Sequence, residues 1–342
     1  MKKHVLFGVA MTLAAVTAMG STVYAEDGGS KKIAVLRNMT SSDHTTQFFA
    51  GAVDEGEKLG YTVDTFMSDG DDVKMQNLMD QALNQDYDIW IVSHANEGYQ
   101  FDYLSKAVEK GIKVVGFDCG GDHVDGVTYT SQSDPDLTAI SLDSLIDNAK
   151  EEGKEEPIKI VEINTLGAII PFDTRHATVE QYEKDGKIEV VKMISPNLQG
   201  DYYSEINTAL TTTIQSGLEF DGIWTASTAF LDPIFDSMHS LEKDYVVTGI
   251  DISDTEVQRL ATEPDYYCCA AVDPYVIGMV DVRIGVSKVL GVETPEEYKF
   301  DAVGVSNADV TKDDSMATLA EKIPGFGSSD AFLSDELNAL YK

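Results

Sequence analysis

From residue 32 onward, short apolar runs alternate with stretches whose apolar residues recur at helical spacing. Residues 32–36, 62–66, 88–92 and 113–117 read as strands, and residues 47–59, 73–83 and 103–110 as the helices between them. In the first helix Phe48, Ala52, Val53, Gly56 and Leu59 form one face, and Gly60 stops it as a helix-terminal glycine does; Gly111 closes the third. Strand runs without polar alternation are covered on both faces, which points to a parallel sheet with helices on either side. The same grammar restarts after residue 133, with strands at 158–163, 188–191, 222–225 and 245–250 and helices at 174–185, 203–216 and 233–241. The expected fold class is therefore α/β, with two doubly wound lobes in succession.

No proline-rich or low-complexity linker separates the two units, so several chain crossings are expected between them, near 130–133, 252–254 and 272–274. The first lobe is expected to hold 31–132 plus 273–297, with a final helix at 276–290 packing back on it. The second is expected to hold 133–272 plus 298–342, including a strand at 298–303.

The N-terminus has a basic start through Lys2 and Lys3, an apolar run from Val5 to Met19, and small residues at Val23 and Ala25. That is the three-part pattern of a secretory leader over 1–25, cleaved before Glu26, and it is set aside from fold reasoning. The rest of the 342-residue chain is long enough for about two domains, and a hydrophobic fraction of 43% suffices for their cores. A net charge of −34 repels phosphate backbones and anionic headgroups. Nucleic acid and membrane surfaces are thus excluded as partners. Three cysteines give no disulfide framework; adjacent Cys268 and Cys269 cannot easily bridge each other, and a bridge from Cys119 to one of them stays open. The histidines are scattered, so neither a metal site nor a cofactor is expected.

In an open parallel sheet, ligands bind beyond the carboxyl ends of the strands. Those ends lead into polar loops: Arg37 to His44, Ser93 to Glu97, Asp118 to Asp122, Asn164 to Gly167, Ser195 to Asn197, Ala226 to Thr228 and Asp251 to Asp254. Asn, Asp and Ser supply the acceptors and amide forks that a polyhydroxyl ligand uses. Trp90 and Trp224 lie inside strands and are assigned to the core, as is Phe48. Serine-nucleophile elbows, phosphate loops, dinucleotide turns and zinc-helix motifs are all missing from the sequence.

Ile33 to Leu36 followed by Gly51 to Tyr61 resembles the opening of the ribose-binding branch of the type I periplasmic binding proteins. Lys113 to Asp118, Val246 to Asp251 and Ala271 to Gly278 resemble later segments of that family, in order, so the likeness runs from about residue 32 to the late 280s. The resemblance implies a solute-binding protein that captures a small polar ligand, a sugar, between two lobes and delivers it to the permease of an ABC transporter. It implies a monomer in the periplasm and no catalysis. It also places hydroxyl-binding carboxylates at Asp118 and Asp251, a donor arginine at Arg175, and polar contacts at Asn38, Ser93 and Ser227. Cys119 departs from the family's second arginine, His44 and Thr45 from a Phe-Phe pair, and Val272 with Asp273 from a Gln. With Ser42 from the first loop, the candidate ligand-binding set is Asn38, Ser42, His44, Ser93, Asp118, Cys119, Arg175, Ser227, Asp251 and Asp273. Phe172, Tyr202 and Tyr203 are candidates for a replacement stacking face, with loop packing the expected role of each. Two other readings stay open: a sensory protein presenting ligand to a receptor, and a glycoside-cleaving enzyme using Asp118 and Asp251 as paired carboxylates.

Overall fold

The computed structural model describes residues 31–341; the leader assigned to 1–25 lies outside the described residues. The first half runs β1 (Lys32–Arg37), α1 (Asp43–Lys58), β2 (Thr62–Met67), α2 (Asp72–Leu83), β3 (Ile89–Ser93), α3 (Gln100–Glu109), β4 (Lys113–Phe117) and β5 (Val127–Gln132). Next come α4 (Asp134–Glu151), β6 (Ile158–Ile163), α5 (Ile170–Lys184), β7 (Ile188–Ile194), α6 (Tyr202–Gln215), β8 (Gly222–Thr225), α7 (Leu231–Ser240), β9 (Val246–Ile250), α8 (Asp254–Thr262) and β10 (Tyr266–Ala271). The chain ends with α9 (Pro274–Leu290), β11 (Glu297–Phe300), β12 (Val303–Ser306), α10 (Met316–Leu319) and α11 (Asp335–Asn338). Two six-stranded sheets result, ordered β11-β5-β4-β3-β1-β2 and β12-β10-β9-β8-β6-β7. Every pairing in the first is parallel, and in the second β12 alone runs antiparallel, against β10. The chain is thus an α/β protein of two doubly wound lobes.

Helix starts fall earlier than apolar periodicity suggests, and in α1 a cap sets the start. Ser42 accepts a hydrogen bond from the Thr45 backbone N–H at 3.2 Å and starts α1 one turn before Gln47. β5 and α4 went unrecognised in the sequence because their Ser, Thr and Asp content reads as loop. The structure satisfies those hydroxyls internally: buried Ser141 accepts from Trp224 Nε1 at 2.8 Å, and Thr138 donates to the Asp134 carbonyl at 2.8 Å. Trp90, Trp224 and Phe48 are fully buried.

α9 is buried nearly all round, as a helix hydrophobic on every face must be. It meets α1 backbone to backbone. A Cβ on Gly278 would lie 2.1 Å from the Phe48 carbonyl oxygen, and one on Gly51 would lie 1.9 Å from that of Tyr275. Neither oxygen can step aside without moving a helix. Gly278→Ala is therefore expected to destabilise the protein by about 1–3 kcal/mol, as core overpacking does, read as a lower urea midpoint; an unchanged midpoint would show that the two helices separate freely.

Two crossings fall where β5 passes into α4 and where β10 passes into α9. Others differ from expectation. Residues 252–254 do not cross, since β9, α8 and β10 all pack in the second lobe. The strand expected to return to that lobe splits instead. β11 pairs in parallel with β5 in the first sheet, and the chain crosses only at Asp301 and Ala302 before β12 joins β10. The C-terminal segment also divides. Met316, Leu319, Ile323 and Phe326 fill the second core, whereas Phe332, Leu337, Leu340 and Tyr341 pack on the first. The tail's apolar residues join the first core, where α11 packs on α9.

Candidate functional site

Strand order reverses between β1 and β3 in the first sheet and between β6 and β8 in the second. The crevices at those reversals face each other across a cavity of about 450 Å³, within the range of roughly 300–1,000 Å³ that holds small organic ligands. Three of its lining residues sit just beyond strands with left-handed backbones: His94 (φ 59°), Asp118 (φ 46°) and Asp251 (φ 85°). Such backbone conformations cost free energy in non-glycine residues and cluster at functional sites. Here they mark the ends of β3, β4 and β9.

The first lobe contributes Arg37, the last residue of β1. Its guanidinium is buried, lies 4.5 Å over the Phe48 ring, and donates to Thr45 Oγ1 (3.2 Å) and Ser93 Oγ (2.8 Å). His44 Nδ1 lies 3.0 Å from its Nη2. Burial pulls the Arg37 pKa down to about 10, with Asp118 and Asp281 opposing, so the cation persists at neutral pH. Burial, then Arg37 and Arg175, depress His44 to about 3, and His94 is likewise driven well below the usual imidazole value. Asp118 is pushed up to about 7 by burial and by Asp134, against Arg175 and Arg37.

The second lobe contributes Arg175 from the second turn of α5. Its Nε donates to Asp134 Oδ1 (2.7 Å), its Nη1 to the Ala226 carbonyl (2.5 Å), and its Nη2 lies 3.7 Å from Asp251 Oδ1. Burial works against this charge, but Asp251, Asp134 and Asp118 outweigh it and the pKa is raised. Ser227 donates to Asp251 Oδ2 at 3.3 Å. Apolar lining comes from Met39, Ile169, Pro171, Phe172, Tyr202 and Ile252.

The cavity thus brings together Ser42, His44, Asp118, Arg175, Ser227 and Asp251 of the sequence-derived set. The other four lie elsewhere, each for a visible reason. Asn38 is turned away, donating to Asp72 Oδ1 (2.9 Å) and Tyr99 OH (3.3 Å) and accepting from Ser68. Ser93 is fully buried behind His94. Cys119 points back to the Val92 carbonyl (3.4 Å) and lines a neighbouring cavity of about 310 Å³; it and both other cysteines are free thiols. Asp273 is a hinge cap: its carboxylate accepts from the Tyr275 N–H (2.9 Å) and the Gly327 N–H (2.7 Å), tying two crossings together. Phe172 and Tyr202 line the cavity, whereas Tyr203 faces Asp236 in an outer groove.

Arg37, His94 and Asp134 were missed. The family resemblance selected Arg175; for Arg37 the available signal was a basic residue at a strand end in a strongly acidic chain. Among the described residues no His, Cys, Asp and Glu group could hold a metal ion, and no helix is long and apolar enough to cross a membrane.

The model of the periplasmic binding protein domain matches residues 33–291. The chain belongs to the periplasmic binding protein family. Among solved structures it is similar to a sugar ABC transporter protein from Yersinia enterocolitica subsp. enterocolitica 8081, at 30% identity and a TM-score of 0.79, covering 92% of this chain and 95% of that one. It also shares its fold with a 5-methylthioribose transporter solute-binding protein from Thermotoga lettingae TMO bound to 5-methylthioribose (20% identity, TM-score 0.78, 91% and 98% covered). A third similar fold is an ABC transporter solute-binding protein from Bacillus halodurans C-125 with bound myo-inositol (16% identity, TM-score 0.69, 83% and 97% covered). No curated protein matches the chain. The family is one of solute-binding proteins of ABC transporters, and the second lobe's β6 to β10, with their loops, fall inside the matched span as fully as the first lobe's strands do.

Proposed function

We propose that this periplasmic binding protein captures a small neutral polyhydroxyl solute, a sugar or related polyol, between its lobes and delivers it to an ABC transporter permease. The observation that carries this reading is the cavity at the facing switch points, where carboxylates, buried guanidinium groups and imidazoles surround a site with one apolar flank. Similar folds hold 5-methylthioribose, myo-inositol and D-allose, which fits a ligand of that size and chemistry. The protein works as a monomer, exported by its leader and free of catalysis. Arg175 Nη2 faces Asp251, which ties one carboxylate of the Asp118 and Asp251 pair to a cation rather than leaving it poised as an acid or base.

Both lobes move as rigid bodies about the crossings, and ligand favours the closed arrangement through its higher affinity for it. A thermal-shift screen of pentoses, hexoses, polyols and nucleosides is expected to raise the melting temperature with one class, since ligand bound only by the native state stabilises it. Scattering at saturating ligand is expected to show compaction; an unchanged radius would exclude closure. Recovery of the sugar unaltered excludes glycoside cleavage, and a permease and ATPase encoded beside the gene would favour transport over sensing.

A further inference from the structure

We propose that Arg37 holds His44 and His94 as a pair of neutral donors, each with its proton on Nε2, so that the two imidazoles donate hydrogen bonds to ligand oxygens and accept none. This rests on the cavity being the ligand site, and it assigns direction to that site's hydrogen bonds.

A guanidinium only donates. His44 Nδ1, 3.0 Å from Arg37 Nη2, must therefore accept, which leaves the imidazole proton on Nε2. The second imidazole is reached through one relay. Arg37 Nη1 donates to Ser93 Oγ at 2.8 Å, and Ser93 is fully buried. Among the described residues its hydroxyl has one further partner, His94 Nδ1 at 2.7 Å. The hydroxyl proton points there, His94 Nδ1 accepts it, and the ring's own proton sits on Nε2. The third arm of the fork donates to Thr45 Oγ1 at 3.2 Å, whose hydroxyl in turn donates to the Thr40 carbonyl at 2.9 Å. One cation thus directs the local network. The His94 ring is held edge-on to Phe117 at 5.5 Å, which fixes its plane.

The charged and titratable groups around the pair are Arg37, Asp118, Cys119, Asp281 and, across the cleft, Arg175. Two cations and burial disfavour a second proton on either ring. The nearest carboxylate, Asp118, lies 3.9 Å from His94 Nε2, beyond hydrogen-bond distance, and is itself shifted toward its neutral form. Opposite the pair, Asp251 can only accept when ionised. A ligand between these walls is neutral, turns acceptor oxygens to the imidazoles and hydroxyl protons to the carboxylate. A cationic amine finds no acceptor on either imidazole.

Long-range proton–nitrogen correlation spectra of the ligand-free chain, labelled with nitrogen-15 histidine, test the wiring directly. Both rings are expected to show a protonated Nε2 and an unprotonated Nδ1, with no titration between about pH 5.5 and 7.5. A protonated Nδ1, or an imidazolium, in either ring would overturn the proposal. Ser93→Ala is expected to release His94 into a mixture of tautomers while His44 stays fixed; an unchanged His94 would show that Arg37 does not act through Ser93. Titrating D-ribose, D-allose and myo-inositol separately reads the ligand side. A probe that raises the melting temperature is expected to shift both Nε2–H proton signals, and binding without such shifts would remove the pair from ligand contact. If none of the three binds while the tautomers are as assigned, the sugar reading fails for these probes and the wiring stands on its own.

Discussion

Arg175→Ala is expected to weaken solute binding by at least about tenfold and to destabilise the protein as well. The fork joins three parts of the molecule: the first crossing through Asp134, the end of β8 through the Ala226 carbonyl, and the end of β9 through Asp251. Only 4% of its side chain is exposed. Alanine leaves Asp134 and Asp251 beside Asp118 with no cation between them. Removing one partner of a buried pair costs about 3–5 kcal/mol, because an uncompensated charge stays behind. Burial already pushes the Asp134 carboxyl above its usual value, with Arg175 opposing. Without the arginine its charge becomes harder still to hold, and Asp251 in the cavity loses the cation it faces. Lysine keeps the charge but not the planar fork, so Arg175→Lys satisfies Asp134 or the Ala226 carbonyl and not both. A buried charge-assisted hydrogen bond contributes about 1.5–3 kcal/mol, equivalent to roughly 10- to 150-fold in affinity. Isothermal titration of both variants with the solute found by thermal shift, alongside urea melts, gives the answer. Wild-type affinity in Arg175→Lys would mean that the fork is not used.

The parallel sheets were legible because their strands are continuous apolar runs, and the site's neighbourhood was legible because such sheets expose their switch points at strand ends. Individual contacts were harder to read. Asn38 and Cys119 follow β1 and β4 as a ligand residue would, yet both face backward, and no local pattern encodes that turn. His94 and Asp118 differ by adopting left-handed backbones, and neither residue type demands that conformation. Asp134 escaped notice because α4 itself reads as loop in the sequence. In the structure Ser133 and Asp134 open α4 without a side-chain cap bond from Ser133, and the Asp134 carboxylate turns to Arg175 instead.

The second-lobe assignment of β11 and the tail failed for a different reason. β11 lies within a few residues of β12, and both are four-residue strands that nothing local assigns to one lobe or the other. What separates them is the free edge each meets: β5 offers β11 a parallel partner over Tyr129 to Gln132, and β10 offers β12 an antiparallel one over Cys268 to Ala271. Sheet edges are a property of the assembled lobes, so a strand's destination is set by what has already formed. The same holds for Leu337, which is fully buried in the first lobe although its surrounding segment is polar.

Arg283→Met is expected to destabilise the protein by about 3–5 kcal/mol and to free the tail from the first lobe. Arg283 lies on α9 with its side chain 8% exposed, and its Nε donates to Glu55 Oε1 on α1 at 2.5 Å. Its Nη1 donates to the Ser329 carbonyl at 2.6 Å and the Ala331 carbonyl at 3.3 Å, and Tyr341 donates to the same Glu55 oxygen. One cation therefore joins the two central helices to the segment that returns from the second lobe. Methionine fills much of the volume and removes every donor, leaving a carboxylate that is 2% exposed with a phenol as its remaining partner. Glu55→Gln in the same chain removes the stranded charge, so the double variant is expected to recover part of the loss. A coupling of that sign, in urea melts of the two single variants and the double, separates a charge effect from a packing effect. The double variant still lacks the donors to Ser329 and Ala331. Proteolysis within 329–341 is therefore expected to stay faster than in the wild type even after stability recovers. Strictly additive losses would show that Glu55 and Arg283 contribute independently.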